Sequence, residues 1–148
     1  MKFWDSSALA ALALRQPATE QVDPILSRDR ETVVWWGSRV ECASALARAV
    51  RSGEIDQRRQ LQARRTLAML WQRSREVEPS DGLRDRAARL LDVHQLRAAD
   101  ALQLAAALDW CEESTAGAGF VCLDQRLRAA ATREGFDVYP LAEEVHEL

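Results

Sequence analysis

Short apolar runs alternate along the chain with longer stretches of helical periodicity. Lys2–Trp4 predicts a short buried strand ending at Asp5, and Ser6–Arg15 a helix with Leu9, Leu12 and Ala13 on one side. Pro17 breaks that helix and opens the next, to about Ser27. Thr32–Trp36 is a continuous β-branched and aromatic run, the pattern of a strand covered on both faces, and Gly37 and Ser38 end it. A helix from about Arg39 to Arg51 stops at Ser52-Gly53. Glu54–Arg73 is a long amphipathic helix with Ala63, Leu67, Leu70 and Trp71 on one face. Only a short turn joins these two helices, so residues 38–74 should form a helical hairpin.

Arg75–Glu78 is a weak strand before Pro79, and Ser80 and Asp81 can cap a helix to about Gln95. A helix from about Asp100 to Glu112 follows, then a loop bracketed by Gly117 and Gly119. Phe120–Leu123 is a buried strand, Gln125–Glu134 a helix capped by Gly135, and Phe136–Tyr139 a last short strand before an acidic tail of Glu143, Glu144 and Glu147. Strands thus alternate with helices, which argues for an α/β protein with a parallel sheet covered on both faces. No repeat, linker or low-complexity segment interrupts the pattern, so the 148 residues are expected to form a single domain, 1–148.

Composition changes this picture little. Apolar residues make up 47% and charged residues 29%, which excludes a disordered chain. No apolar run approaches the roughly 18 residues needed to span a bilayer. Ala8–Leu14 is apolar, but Asp5 stands where a signal peptide wants positive charge, and no small-residue cleavage site follows. A cytoplasmic protein is expected. The three cysteines, Cys42, Cys111 and Cys122, form no CxxC pair and read as small buried residues in a reducing compartment. His94 and His146 have no partner at metal spacing. The net charge of −3 does not advertise nucleic-acid binding. The cations are unusual in kind, since Lys2 is the only lysine and all the rest are arginine. Arginine grips phosphate bidentately and stacks on bases, although nucleotide bias in the host genome is the plainer cause.

The chemistry lies in four acids. In a parallel sheet the carboxyl ends of the strands share one edge, and ligands bind there. Asp5 and Asp124 directly follow apolar strands, Glu41 falls in the first turn of the helix after the second strand, and Asp100 opens a helix. Each has a structural reading as well. Asp5, Asp100 and Asp124 can be N-caps, and Ser38-Arg-Val-Glu41 fits a capping box. Capping is compatible with a shared site, because helix starts lie on the same edge as strand ends. Asp100 is the hardest to reduce to a cap. It heads an apolar stripe with Leu104, Ala107 and Cys111, and a carboxylate so placed needs a partner, for which Arg97 is the nearest candidate.

Three segments resemble the PIN-domain ribonucleases, particularly the VapC-type toxins of bacterial toxin–antitoxin pairs. They are Phe3-Trp-Asp5-Ser-Ser-Ala-Leu9, Leu96-Arg-Ala-Ala-Asp100-Ala-Leu-Gln-Leu-Ala105 and Phe120-Val-Cys-Leu-Asp124-Gln-Arg-Leu127. Glu41 stands where that family carries a glutamate after its second strand. The resemblance implies a three-layer α/β/α sandwich around a central parallel sheet. It implies an endoribonuclease using Mg²⁺ or Mn²⁺, held mainly by Asp5 and Asp100, with Glu41 and Asp124 completing the catalytic cluster. It also implies an RNA substrate, a cognate antitoxin seated in a groove formed by the hairpin, and a homodimer. Cys122 departs from the threonine many relatives carry two residues before the last acid.

Physical chemistry is consistent with the cation. Two like charges about 4 Å apart repel by roughly 1 kcal/mol in water and roughly 4 at an effective dielectric of 20, so clustered carboxylates need a cation or a proton. Mg²⁺ prefers hard oxygen ligands and keeps several waters. Ser6 is a candidate for binding a phosphate or a ligand carboxylate, with turn chemistry as its other role. Arg58 and Arg59, among the hairpin arginines, are candidates for guiding RNA phosphates, or are simply solvated. Two other classes compete: an acidic-pocket phosphoryl-transfer domain, which generally needs a lysine near the phosphate, and a non-catalytic binding module, which has no reason to keep four repelling acids. Lys2 lies at the wrong end of its strand for the first.

Overall fold

The computed structural model describes residues 1–141; the acidic tail and His146 lie outside the described residues. Among the described residues the order is β1 (Lys2–Trp4), α1 (Ser6–Leu14), α2 (Thr19–Arg28), β2 (Thr32–Trp35), α3 (Ser38–Arg51), α4 (Gln57–Arg73), β3 (Arg75–Val77), α5 (Asp81–Val93), α6 (Ala98–Trp110), β4 (Gly119–Val121), α7 (Gln125–Arg133) and β5 (Asp137–Tyr139). The strands form one parallel sheet in the order β3-β2-β1-β4-β5.

Strand alternation divides the core in two. Phe3, Val33, Trp35 and Phe120 point to one face and pack on Leu83 and Leu90 of α5, Leu104 of α6 and Leu127 of α7. Trp4, Val34 and Val121 point to the other and meet Leu9 of α1, Val22 of α2, Leu46 of α3 and Leu67 of α4. The result is a three-layer α/β/α sandwich. Phe3 and Trp4 are fully buried, and each such side chain contributes roughly 1.5–3 kcal/mol. Helix α1 is buried nearly all round rather than on one side, because α2, α3 and α4 cover it above the sheet.

Local chemistry shifts several boundaries from the sequence expectation. β2 stops at Trp35, and Trp36 turns out to solvent. The turn there needs glycine, since a Cβ on Gly37 would lie 2.6 Å from Trp35 Nε1. α4 starts at Gln57 rather than Glu54, because the Asp56 carboxylate accepts the Arg59 N–H (2.9 Å) while Ile55 folds into the core. α6 starts at Ala98, two residues before Asp100.

β1 is joined through α1 and α2 to β2 on one side, whereas β4 lies on its other side. The chain therefore reverses its winding between β1 and β4. A crevice opens at the carboxyl end of such a switch point, and Asp5 and Asp124 stand on either side of it.

Candidate active site

Asp5 ends β1 and caps α1, with the Ser7 N–H donating to its Oδ2 at 3.1 Å. The Ser7 hydroxyl donates to the same oxygen, and the Cys122 thiol approaches it at 3.4 Å. Ser7 Oγ in turn accepts the Leu123 N–H at 3.0 Å, which ties the ends of β1 and β4 together. Asp124 caps α7 through the Leu127 N–H (3.0 Å). The cap reading therefore holds for Asp5 and Asp124.

It fails for Glu41 and holds only in part for Asp100, whose carboxylate accepts the Arg97 N–H. α6 is entered at Arg97 without a side-chain cap, and Asp100 is its third residue, half-buried and aimed at the cleft. No capping box forms at α3, whose N-cap is Gly37. Ser38 is instead buried and accepts from Gln103 Nε2 at 3.0 Å. Gln103 also donates to Glu41, as does Ser6. The reason is tertiary: α6 crosses beside the start of α3 and supplies a better donor to Glu41 than its own helix terminus does. Gln103 is fully buried, and its only sequence signal was a polar side chain one turn after Asp100 within an apolar helix. The positioning role of Ser7 had no signal beyond its hydroxyl.

Asp5, Ser6, Glu41, Asp100 and Asp124 line one cleft of about 880 Å³, with Arg48 and Arg97 on its walls. Arg58 and Arg59 do not line it. Arg59 borders a neighbouring hollow with Arg15 and Thr66, separated from the cleft by Leu14, and both arginines are exposed at the start of α4.

The electrostatics show what four acids in one cleft cost. Burial pushes the Asp5 carboxyl up to about 6, against the pull of the Ser7 and Cys122 donors and with help from Glu41. Glu41 is raised by burial and by the charge on Asp100, less the Gln103 and Ser6 hydrogen bonds. Asp100 is raised by burial and by Asp124, less the effect of Arg97 and Arg126. Each acid thus feels the next around the cleft.

Among the described residues no three His, Cys, Asp or Glu side chains converge into a closed cation cage. The donor set is nonetheless all hard oxygen, and three of its members are destabilised as free anions. That fits an ion of the Mg²⁺ type, which takes one or two carboxylates, keeps waters and does without an all-protein cage.

A parallel α/β/α sandwich with paired acidic strand ends at its switch point defines a class of acidic-cleft α/β proteins. Within it, the chain belongs to the PIN domain family, whose model matches residues 2–132. PIN domains are typically nucleases that use divalent metal ions. The fold is similar to that in "Crystal Structure of PAE2754 from Pyrobaculum aerophilum", with a TM-score of 0.62 at 23% identity over 93% of this chain and 87% of that one. No curated protein is a significant match. Among the described residues no helix is long and apolar enough to cross a membrane.

Proposed function

We propose that this chain is a divalent-metal-dependent endoribonuclease and the toxin of a VapC-type toxin–antitoxin pair. The observation that carries the nuclease reading is the linked set Asp5–Glu41–Asp100–Asp124, in which burial and mutual repulsion raise three of the acids within one open cleft. Asp5 and Asp100 would hold Mg²⁺ or Mn²⁺. Such an ion supplies offsetting charge at the scissile phosphate and a more acidic water. Ser7 and Cys122 occupy Asp5 Oδ2, so Oδ1 would be the oxygen that takes the ion. Gln103 and Ser6 hold the Glu41 carboxylate in place, where it would orient a water for attack. Asp124 serves the same end from α7, and Arg48 and Arg97 hold the flanking phosphates. A cognate antitoxin segment would occupy the apolar wall by the α3–α4 hairpin, and a homodimer would frame two such clefts.

Purified protein is expected to cleave RNA internally with Mg²⁺ or Mn²⁺ and to stop in excess EDTA. Cleavage undiminished in EDTA overturns the reading.

A further inference from the structure

A second hollow, of about 410 Å³, lies between the turn after α5 and the outer face of α7. Its walls are Leu91, Asp92, Val93, Gln95, Arg126 and Arg133, over a floor of His94 and Ala130. Leu91 (42%) and Val93 (68%) are exposed apolar side chains. His94 is fixed from behind by Glu134 (2.7 Å), with its Nδ1 buried and without a partner.

Arg86 nearby is bound to Asp109 and Glu113. The two arginines of this hollow, Arg126 and Arg133, stand outside the ion pairs of the described residues. They lie seven residues apart on α7, on the same face and about 10 Å apart along its axis. Gln95 and Arg126 of this hollow lie two residues from Arg97 and Asp124 of the acidic cleft, so the two adjoin. An apolar wall flanked by two free guanidiniums matches a nucleotide, with its flat base and its phosphates. The single carboxylate of Asp92 does not offset the two cations.

We infer that the hollow between the α5–α6 turn and α7 binds a nucleotide of the single-stranded RNA beside the one being cut, with Arg126 and Arg133 on its phosphates. The inference rests on the ribonuclease reading and names a substrate subsite within it.

The test is binding of a fluorescent, unstructured oligoribonucleotide to the full chain in EDTA, followed by anisotropy across a salt series. Each single-strand phosphate contact contributes a slope of roughly 0.7 in log K against log salt. Arg133→Gln, which touches none of the four acids, should lower the slope by about that amount, and Arg126→Gln/Arg133→Gln by about twice as much. Arg84→Gln, at an exposed arginine paired with Asp81, should leave it unchanged. Equal slopes in parent and double variant overturn the subsite, as does an equal fall in Arg84→Gln, an effect confined to a DNA strand of the same sequence, or no RNA binding by the parent. If the parent still cleaves RNA with Mg²⁺ or Mn²⁺, only the subsite falls; if it cleaves none, the ribonuclease reading falls with it.

Discussion

Asp5 is 3% exposed, yet it carries a carboxyl that the protein holds near pH 6. Its folded value lies above the ordinary 3.8, so folding favours the protonated form. The stability it contributes is fully present below about pH 3.8 and is lost as pH rises through 6. A shift of that size corresponds to about 3 kcal/mol at pH 7. Asp5→Asn keeps an oxygen for Ser7 and removes the buried charge. In EDTA it should melt several degrees above the parent at pH 7, with the two curves converging near pH 4. A variant that melts below the parent at pH 7 would mean that the Ser7 and Cys122 donors outweigh desolvation. The cysteines obey the same physics in the other direction of use. Burial pushes Cys42 up to about 12 and raises Cys122 well above its ordinary value, so both stay neutral; Cys42 packs as a small apolar group, while the Cys122 thiol also donates to Asp5.

Acids at helix starts differ in what surrounds them. Asp56 is a cap and nothing more, bonded to the Arg59 N–H on an exposed turn. Asp56→Ala should cost about 1 kcal/mol and reduce cleavage only as far as it unfolds the chain. Asp100 sits inside the first turn of α6, where its carboxylate accepts the Arg97 backbone N–H, a bond that an asparagine oxygen can keep. Asp100→Asn should therefore match or exceed the parent's melting temperature in EDTA, because one repelling charge is gone. It should lose the Mg²⁺-induced rise and nearly all RNA cleavage. Thermal melts of both variants with and without Mg²⁺ make the comparison, and normal cleavage by Asp100→Asn would remove it from the site. Of the hairpin arginines, Arg48 lines the cleft together with Arg97, whereas Arg58 and Arg59 stand outside it on the first turn of α4.

At the scale of the molecule, a cation shared by the four acids would couple them to the stability of the fold. Binding to the folded chain alone stabilises it by about 2.7 kcal/mol at a hundredfold excess over Kd, roughly 5–10 °C for a chain of this size. The ion needs ionised carboxylates. The rise in melting temperature on adding Mg²⁺ or Mn²⁺ should thus be large at pH 7.5, shrink as pH falls through 6 and vanish near pH 4. A melting temperature indifferent to both ions at pH 7.5 would show that the four acids do not share a cation.

The sequence by itself determined the alternation of strands and helices, the parallel sheet and the positions of all four acids. Those signals are local: apolar runs of strand length, helical spacing, and carboxylates at element boundaries, each readable within a few residues. Only the tertiary structure decided what each acid does at its boundary. Glu41 looked like half of a capping box with Ser38, but Gln103, sixty-two residues away, takes hold of both. Ser7 proved to be a clamp because β4 lies beside β1 and offers it the Leu123 N–H. Arg126, on α7, offsets part of the rise at Asp100 on α6 from twenty-six residues away. Hydrogen-bond partners and desolvation depend on neighbours brought in by the fold, and no spacing along the chain encodes them.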